Sequence, residues 1–306
     1  MIKFGVDVGG TTVKIGLFQA EGELLQKYEI LTDKSDAGAH IIEQIGEKIR
    51  DILTERGMNL NDCAGVGIGL PGPVDPEGNI LGCVNLGWGI FNVEKTMSGQ
   101  LSGTYVKAGN DANVAALGEQ TYGAGRGRKN LVMVTLGTGV GGGIILGGKI
   151  LEGTNGAAGE IGHIPVNPEE TVRCSCGKCG CLEQYASATG IVRMAKTMRE
   201  AYPDTVLSKD ADAKDICDGA KAGDPLAKAV LHELSRYLGT ALASVACVLN
   251  PEIFCIGGGV SRAGEILLEE TKQYFEKNVF APCKNVEFTI AQLGNDAGIY
   301  GAAAMV

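Results

Sequence analysis

The sequence predicts an α/β protein made of two related halves. A buried strand, a glycine turn and a second strand open the chain at 2–19, and the same order recurs at 131–150, so that Asp7-Val8-Gly9-Gly10 corresponds to Thr135-Leu136-Gly137-Thr138. Short β-branched runs alternate with amphipathic helical stretches through the rest of the chain. A length of 306 residues is enough for two domains with cores of their own.

In order, IKFGVDV at 2–8 is an apolar, β-branched strand, broken by GGTT. VKIGLFQ at 13–19 resumes as a strand, and Glu21-Gly22 turns into a third, ELLQKYEIL. Ile41, Ile42, Ile45, Ile49, Ile52 and Leu53 recur at helical spacing over 39–56, and Gly57 ends that helix. AGVGIG at 64–69 is a buried strand, followed by the loop LPGPVDPEG. TYVKAGNDAN at 104–113 is a strand running into a helix start, where Asp111 and Asn113 can both cap. The helix extends to about Tyr122, and GAGRGRKN at 123–130 marks a domain boundary. LVMVTL at 131–136 and GIILGGKI at 143–150 are strands around the turn GTGVGG. Helices follow at about 186–200 and 213–222, then a long one from Pro225 to Leu249 with Asp224 as its cap and Asn250-Pro251 as its stop. IFCIGGGV at 253–260 is a strand ending in a glycine turn, followed by a helix at 263–278 and a last strand, VEFTIAQL. GNDAGIYGAAAM forms a short helix returning to the first half. The expected domains are 1–118 with the helix at about 296–306, and a larger one at 119–295.

Composition narrows the function. A net charge of −9 argues against a general nucleic-acid or anionic-membrane surface, though not against one bound nucleotide held by backbone N–H groups and a metal. The 47 glycines are roughly twice the usual share of about 7%, and they cluster at turns. No apolar run approaches the roughly 20 residues that span a bilayer, and Asp7 interrupts the only N-terminal one. Ten cysteines without a secretory signal fit a reducing cytosol.

Neither glycine turn is a Walker loop or a dinucleotide fingerprint, because a strand follows where a helix should. Their repetition instead marks two phosphate grips. Gly9, Gly10, Gly137 and Gly139 let backbone N–H groups approach phosphate oxygens, and Thr11, Thr12 and Thr138 add hydroxyl donors. Asp7 ends a buried strand, where an unpaired carboxylate is costly, so a place near Mg²⁺ is expected. Lys14 is a candidate to neutralise phosphate charge or an exposed strand lysine. Gly257 and Gly258 open a helix after a strand, which suits a nucleotide site or a tight turn. The other dense stretch runs from Gly156 to Glu183. His163, Cys174, Cys176, Cys179 and Cys181 place five possible ligands within 19 residues, at a spacing suited to tetrahedral Zn²⁺. Four suffice, and a closed set of four makes the zinc structural. Trp88, the only tryptophan, is read as core.

Together these residues resemble the ROK family of sugar kinases, most closely its bacterial glucokinases. The matching motifs are DVGGTTVK at 7–14, GLPGPV at 69–74, VNLGW at 84–88, NDAN at 110–113, LGTGVGGGI at 136–144, NGAAGEIGH at 155–163, CSCGKCGCLE at 174–183 and IGGGV at 256–260. They span nearly the whole chain in order. The resemblance implies the duplicated actin/hexokinase-like (ribonuclease H-like) fold, with ATP and sugar meeting in a cleft between two domains. It implies that Asp111 is the catalytic base for the sugar hydroxyl rather than a helix cap. It further implies that Gly72, Asn85, Asn110, Asp111, Glu160, His163 and Glu183 hold the sugar, and that His163, Cys174, Cys176 and Cys181 hold the zinc. Cys179 is the one departure, a spare thiol or a substitute ligand. The family includes repressors with an N-terminal helix-turn-helix, and with Ile2 already in the first strand none is expected here. The expected activity is ATP-dependent phosphorylation of a hexose at its 6-hydroxyl, glucose first. N-acetylmannosamine, N-acetylglucosamine or fructose as substrate, and a non-catalytic sugar sensor, are the rivals. A homodimer or homotetramer is the expected assembly.

Overall fold

The computed structural model describes all of residues 1–306. Its elements run β1 (Ile2–Val8), β2 (Thr12–Gln19), β3 (Leu24–Leu31), α1 (Ile41–Glu55), β4 (Cys63–Leu70), β5 (Asn79–Ile80), β6 (Phe91–Asn92), α2 (Val93–Gln100), β7 (Val106–Asn110) and α3 (Asp111–Tyr122). They continue as β8 (Leu131–Leu136), β9 (Val140–Leu146), β10 (Lys149–Ile150), α4 (Glu183–Ala186), α5 (Ala188–Met198), α6 (Ala213–Ala222), α7 (Pro225–Leu249), β11 (Ile253–Gly257), α8 (Glu265–Asn278), β12 (Glu287–Ile290) and α9 (Ala297–Ala304).

Two five-stranded sheets result, ordered β3-β2-β1-β4-β7 and β10-β9-β8-β11-β12. In the first, β1 runs antiparallel to β2 and parallel to β4, and β7 is parallel to β4. In the second, β8 runs parallel to β11 and β11 to β12. The hairpin-then-parallel order is the same in both, so the expected duplication is present as topology.

The local reasons are those the sequence gives. All six apolar residues of the α1 stripe are buried. Each contributes about 1.5–3 kcal/mol relative to exposure, far more than helix propensity supplies. Helix α7 starts where Asp224 accepts the Ala227 N–H at 2.9 Å and Pro225 fills the first position, and it stops at Asn250 in the left-handed region. Trp88 is core, with its indole N–H donating to the Gly38 carbonyl at 2.8 Å.

Three expectations need correction. GIILGGKI is not one strand: Gly147 and Gly148 take positive φ values of 59° and 80° and fold it into the β9–β10 hairpin. The second glycine turn is shorter than expected, because β9 resumes at Val140. The helix expected at about 186–200 starts two residues later, as α5 at Ala188, because Ser187 adopts an extended conformation and caps it through its hydroxyl, 3.0 Å from the Gly190 N–H.

The chain divides into two compact units, Met1–Gly127 with Gly143–Ala158 and Asn295–Val306, and Arg128–Gly142 with Gly159–Gly294. Within the first unit, α9 seats backbone on backbone. A Cβ on Gly5 of β1 would overlap the Ile299 carbonyl, and one on Gly67 of β4 would overlap the Ala302 carbonyl. A backbone obstacle cannot swing away as a side chain can. Gly67→Ala should therefore destabilise by roughly 3 kcal/mol or more, at or beyond the upper end of overpacking costs. The thermal midpoint of the variant checks this, and a wild-type value would show that α9 moves aside freely. No helix is long and apolar enough to cross a membrane.

Candidate active site

In the first unit, the β1–β2 turn carries the first glycine grip. Gly9 N–H donates to the Thr12 carbonyl at 2.9 Å, and Thr32, one residue beyond β3, reaches back into the turn. Its hydroxyl donates to the Gly9 carbonyl at 2.7 Å and its N–H to the Thr11 carbonyl at 2.9 Å. With those carbonyls held on one side, the turn keeps a fixed shape. Asp7 stands at the end of β1, opposite Lys14 in the β1–β2 register. Burial raises the Asp7 pKa, and the Lys14 ammonium acts in the opposite direction. Lys14 also donates to the Asn295 carbonyl at 3.1 Å, so its head group is partly engaged within the fold.

The β7–α3 corner holds Asn110 and Asp111. Here the capping expectation is corrected: neither Asp111 nor Asn113 caps α3. The helix begins at Asp111, so the residue with extended geometry before it is Asn110, whose side-chain oxygen accepts from Ala112 N–H at 3.0 Å and Asn113 N–H at 3.3 Å. Asn113 is buried inside the first turn. The Asp111 carboxylate accepts from Ala112 N–H at 2.8 Å. The amide of Asn110 donates to the Gly72 carbonyl at 3.3 Å, tying the GLPGPV loop to this corner. Asn85 stands exposed on a short turn closed by Cys83 and Trp88, which exchange two backbone hydrogen bonds at 3.0 Å.

In the second unit, His163, Cys174, Cys176 and Cys181 come together, with all four ligand atoms within 4.8 Å of one another. His163 Nδ1 lies 3.8 Å from Cys174 Sγ, and Cys176 Sγ lies 3.6 Å from Cys181 Sγ. Ligands at about 2.1–2.3 Å from a tetrahedral centre lie about 3.6–3.8 Å apart, so the set fits a zinc-sized ion. Burial pushes the Cys181 thiol up to about 12, whereas the backbone N–H of Lys178 favours the thiolate of exposed Cys176. A divalent cation among the four removes the penalty of a buried thiolate. Cys179 is outside the set, its thiol facing the Thr171 carbonyl at 3.7 Å. His163 Nε2 points the other way, 4.0 Å from the exposed Glu160 carboxylate.

Glu183 faces the second glycine turn. One carboxylate oxygen accepts the Val140 N–H at 3.0 Å, and the other accepts the Ser175 hydroxyl at 3.0 Å. A carboxylate has about four acceptor positions, so these two hydrogen bonds and the Cys174 sulfur at 3.7 Å leave room for a ligand hydroxyl. The turn itself closes through Gly137 N–H to the Gly139 carbonyl at 3.0 Å. Gly257 pairs with Thr135 of β8, and a Cβ on Gly258 would lie 2.5 Å from the Leu136 carbonyl, which brings the IGGGV turn beside the second grip.

Residue reading missed Thr32, Ser175 and Thr189. Thr32 reaches the first turn and Ser175 reaches Glu183, while Thr189, in the first turn of α5, donates its hydroxyl to the Thr138 carbonyl at 3.0 Å; a lone Ser or Thr at such positions carries no local signal. It also missed the polar brace behind the cysteines. There, burial would raise the Glu170 pKa, but the Tyr185 hydroxyl, the Val172 N–H and the Arg193 guanidinium outweigh it and hold the carboxyl at about 2.

Comparison with known proteins places this geometry. A family model described as ROK family matches residues 3–306. A glucokinase of Halalkalibacterium halodurans is 45% identical over 99% of this chain and 94% of its own. A glucokinase of Thermotoga maritima is 36% identical over 99% of this chain and 96% of its own. The crystal structure of a ROK family glucokinase from Streptomyces griseus, in complex with glucose and AMPPNP, superposes with a TM-score of 0.78 at 35% identity, covering 100% of this chain and 99% of that one.

Proposed function

This chain belongs to the ROK family, and from that membership we propose that it is an ATP-dependent glucokinase, converting glucose to glucose 6-phosphate. Similarity to two glucokinases along almost the whole chain supports the reading, as does a solved relative that binds glucose and AMPPNP. The observation that carries it is the Asn110–Asp111 corner. Asn110 caps the helix N-terminus, which supports the reading of Asp111 as the base for a sugar hydroxyl rather than as the cap.

Asp111 takes the proton of the 6-hydroxyl as that oxygen bonds to the γ-phosphorus of ATP and the bond from phosphorus to the β–γ bridging oxygen breaks. The products are ADP and the 6-phosphate ester, with the proton left on Asp111. Backbone N–H groups around Gly9, Gly10, Thr11, Thr12, Gly137, Thr138 and Gly139 hold the phosphates, and Gly257 and Gly258 border the nucleoside. Mg²⁺ bound with ATP supplies charge neutralisation at the phosphates, and Asp7 is the carboxylate that would hold it. Gly72, Asn85, Asn110, Glu160, His163 and Glu183 orient the sugar. Zn²⁺ held by His163, Cys174, Cys176 and Cys181 is structural, because four protein ligands leave no open position.

Asp7 gives a paired prediction. A carboxyl whose folded pKa is raised stabilises fully below its unfolded pKa and loses that contribution as pH rises through the folded value, so the ionised form is a burden at neutral pH. Asp7→Asn should raise the thermal midpoint at pH 7.5 and lower kcat by roughly 10²-fold or more. A variant no more stable and fully active would refute both halves.

A coupled assay with ATP tests the whole reading. Glucose should give the highest kcat/KM among glucose, fructose, mannose, N-acetylmannosamine and N-acetylglucosamine. Preference for another sugar would change the substrate, and no ATP-dependent turnover with any of them would remove the activity.

A further inference from the structure

The second glycine turn is gripped from three sides by the segment that follows the cysteines. Glu183 accepts the Val140 N–H at 3.0 Å, the Ala188 N–H donates to the Gly137 carbonyl at 2.8 Å, and the Thr189 hydroxyl donates to the Thr138 carbonyl at 3.0 Å. A Cβ on Gly139 would meet the Glu183 carboxylate, so a larger residue there would push that side chain away from the turn. The other end of this segment is fixed to the cysteine cluster. Ser175 donates to the free end of the Glu183 carboxylate at 3.0 Å, and the Cys174 sulfur lies 3.7 Å from the same oxygen. Thr189 lies exposed, so its hydroxyl is not needed to fill a core.

We propose that residues 183–189 are a strap that sets the second phosphate grip, with Thr189 as a positioning residue for the nucleotide and Ser175 anchoring the strap to the cysteine cluster through Glu183. The physical argument concerns direction. Holding the carbonyls of Gly137 and Thr138 fixes the peptide planes on either side, and with them where the remaining N–H groups point. A turn left to itself would sample several orientations, and the bound nucleotide would have to select one, weakening its affinity by the fraction of time spent in the others. The first turn has its own counterpart in Thr32, whose hydroxyl and N–H hold the Gly9 and Thr11 carbonyls. The duplicated grips are thus braced by threonines that are not themselves part of the duplicated motif. It follows that the cysteine cluster serves the nucleotide as well as the sugar. The proposal rests on the kinase reading above.

The test uses full-length Thr189→Val, Thr189→Ser and Ser175→Ala. AMPPNP affinity is measured by calorimetry, alongside the KM for ATP and for glucose. Thr189→Val should weaken AMPPNP binding and raise the KM for ATP roughly five-fold, the value of one neutral hydrogen bond. Its KM for glucose should stay within about two-fold and its thermal midpoint near wild type, and Thr189→Ser should restore nucleotide binding. Ser175→Ala should move in the same direction by less. An active wild type with Thr189→Val unchanged in AMPPNP affinity and KM for ATP overturns the strap alone. A change confined to glucose KM, or no rescue by Thr189→Ser, overturns it as well. A wild type that neither binds AMPPNP nor phosphorylates glucose removes the kinase reading and the strap together.

Discussion

Asp111→Asn is expected to lower kcat by roughly 10²–10⁴-fold while leaving the KM for glucose within about three-fold of wild type. The substitution changes one oxygen to an amide and leaves shape and volume nearly constant. Its remaining oxygen can still accept the Ala112 N–H that Asp111 Oδ1 accepts at 2.8 Å. The first turn of α3 keeps its cap, because that task belongs to Asn110. The substitution removes a negative charge near a helix N-terminus, worth about 0.3–1 kcal/mol, so the thermal midpoint should fall by no more than a few degrees. What the variant lacks is a group that can take a proton. A kcat within ten-fold of wild type would assign the base elsewhere. A collapse of glucose affinity with kcat retained would make Asp111 a sugar ligand only.

The second large effect is expected from the metal. Between 165 and 180 only Cys174 and Gly180 are buried, so this arm has no apolar core of its own. Its internal order rests on backbone pairing such as Cys174 N–H to the Lys178 carbonyl at 2.7 Å and on Gln184, which reaches Val172 at 2.8 Å. Such contacts are individually worth about 1 kcal/mol, whereas a four-ligand zinc site supplies about ten times as much in small metallo-domains. Complete chelation should therefore melt the arm, lower the thermal midpoint by about 10 °C or more and open the 165–180 segment to protease. Since Glu160 and His163 border the same cluster, the KM for glucose should rise alongside. Zinc added back should restore both, and Cys176→Ala should mimic the loss while Cys179→Ala should not. A metal-free protein with unchanged midpoint and unchanged KM would show that the four residues do not depend on an ion.

Much of this was legible in the residues. The strand–turn–strand repeat made the duplicated topology legible, since short apolar, β-branched runs on either side of clustered glycines admit few other arrangements. The α1 and α7 stripes and the Asp224-Pro225 start were legible for the same reason: helix spacing and capping are local. The cysteines and His163 were legible because ligand spacing is short. What could not be seen is whatever depends on contact between distant positions. Asn113 looked as able a cap as its neighbours until the helix start settled at Asp111. Gly147 and Gly148 looked like strand interior until their backbone took positive φ. Thr32, Ser175 and Thr189 have no pattern at all until the fold brings them to a carbonyl or a carboxylate.

The seating of α9 has a further consequence, for the order in which the molecule is made. Residues 295–306 complete the first unit by lying against Gly5 and Gly67, yet in the chain they come after all of the second unit. During synthesis the stretch from Arg128 to Gly294 is present before α9 exists, and domains fold as units in the order they emerge. The first unit must therefore wait, its β1 and β4 faces uncovered, while a later-made unit finishes. That interval of exposed strand surface is where a chaperone would bind a nascent chain of this kind, and Gly67→Ala would lengthen it by obstructing the docking of α9.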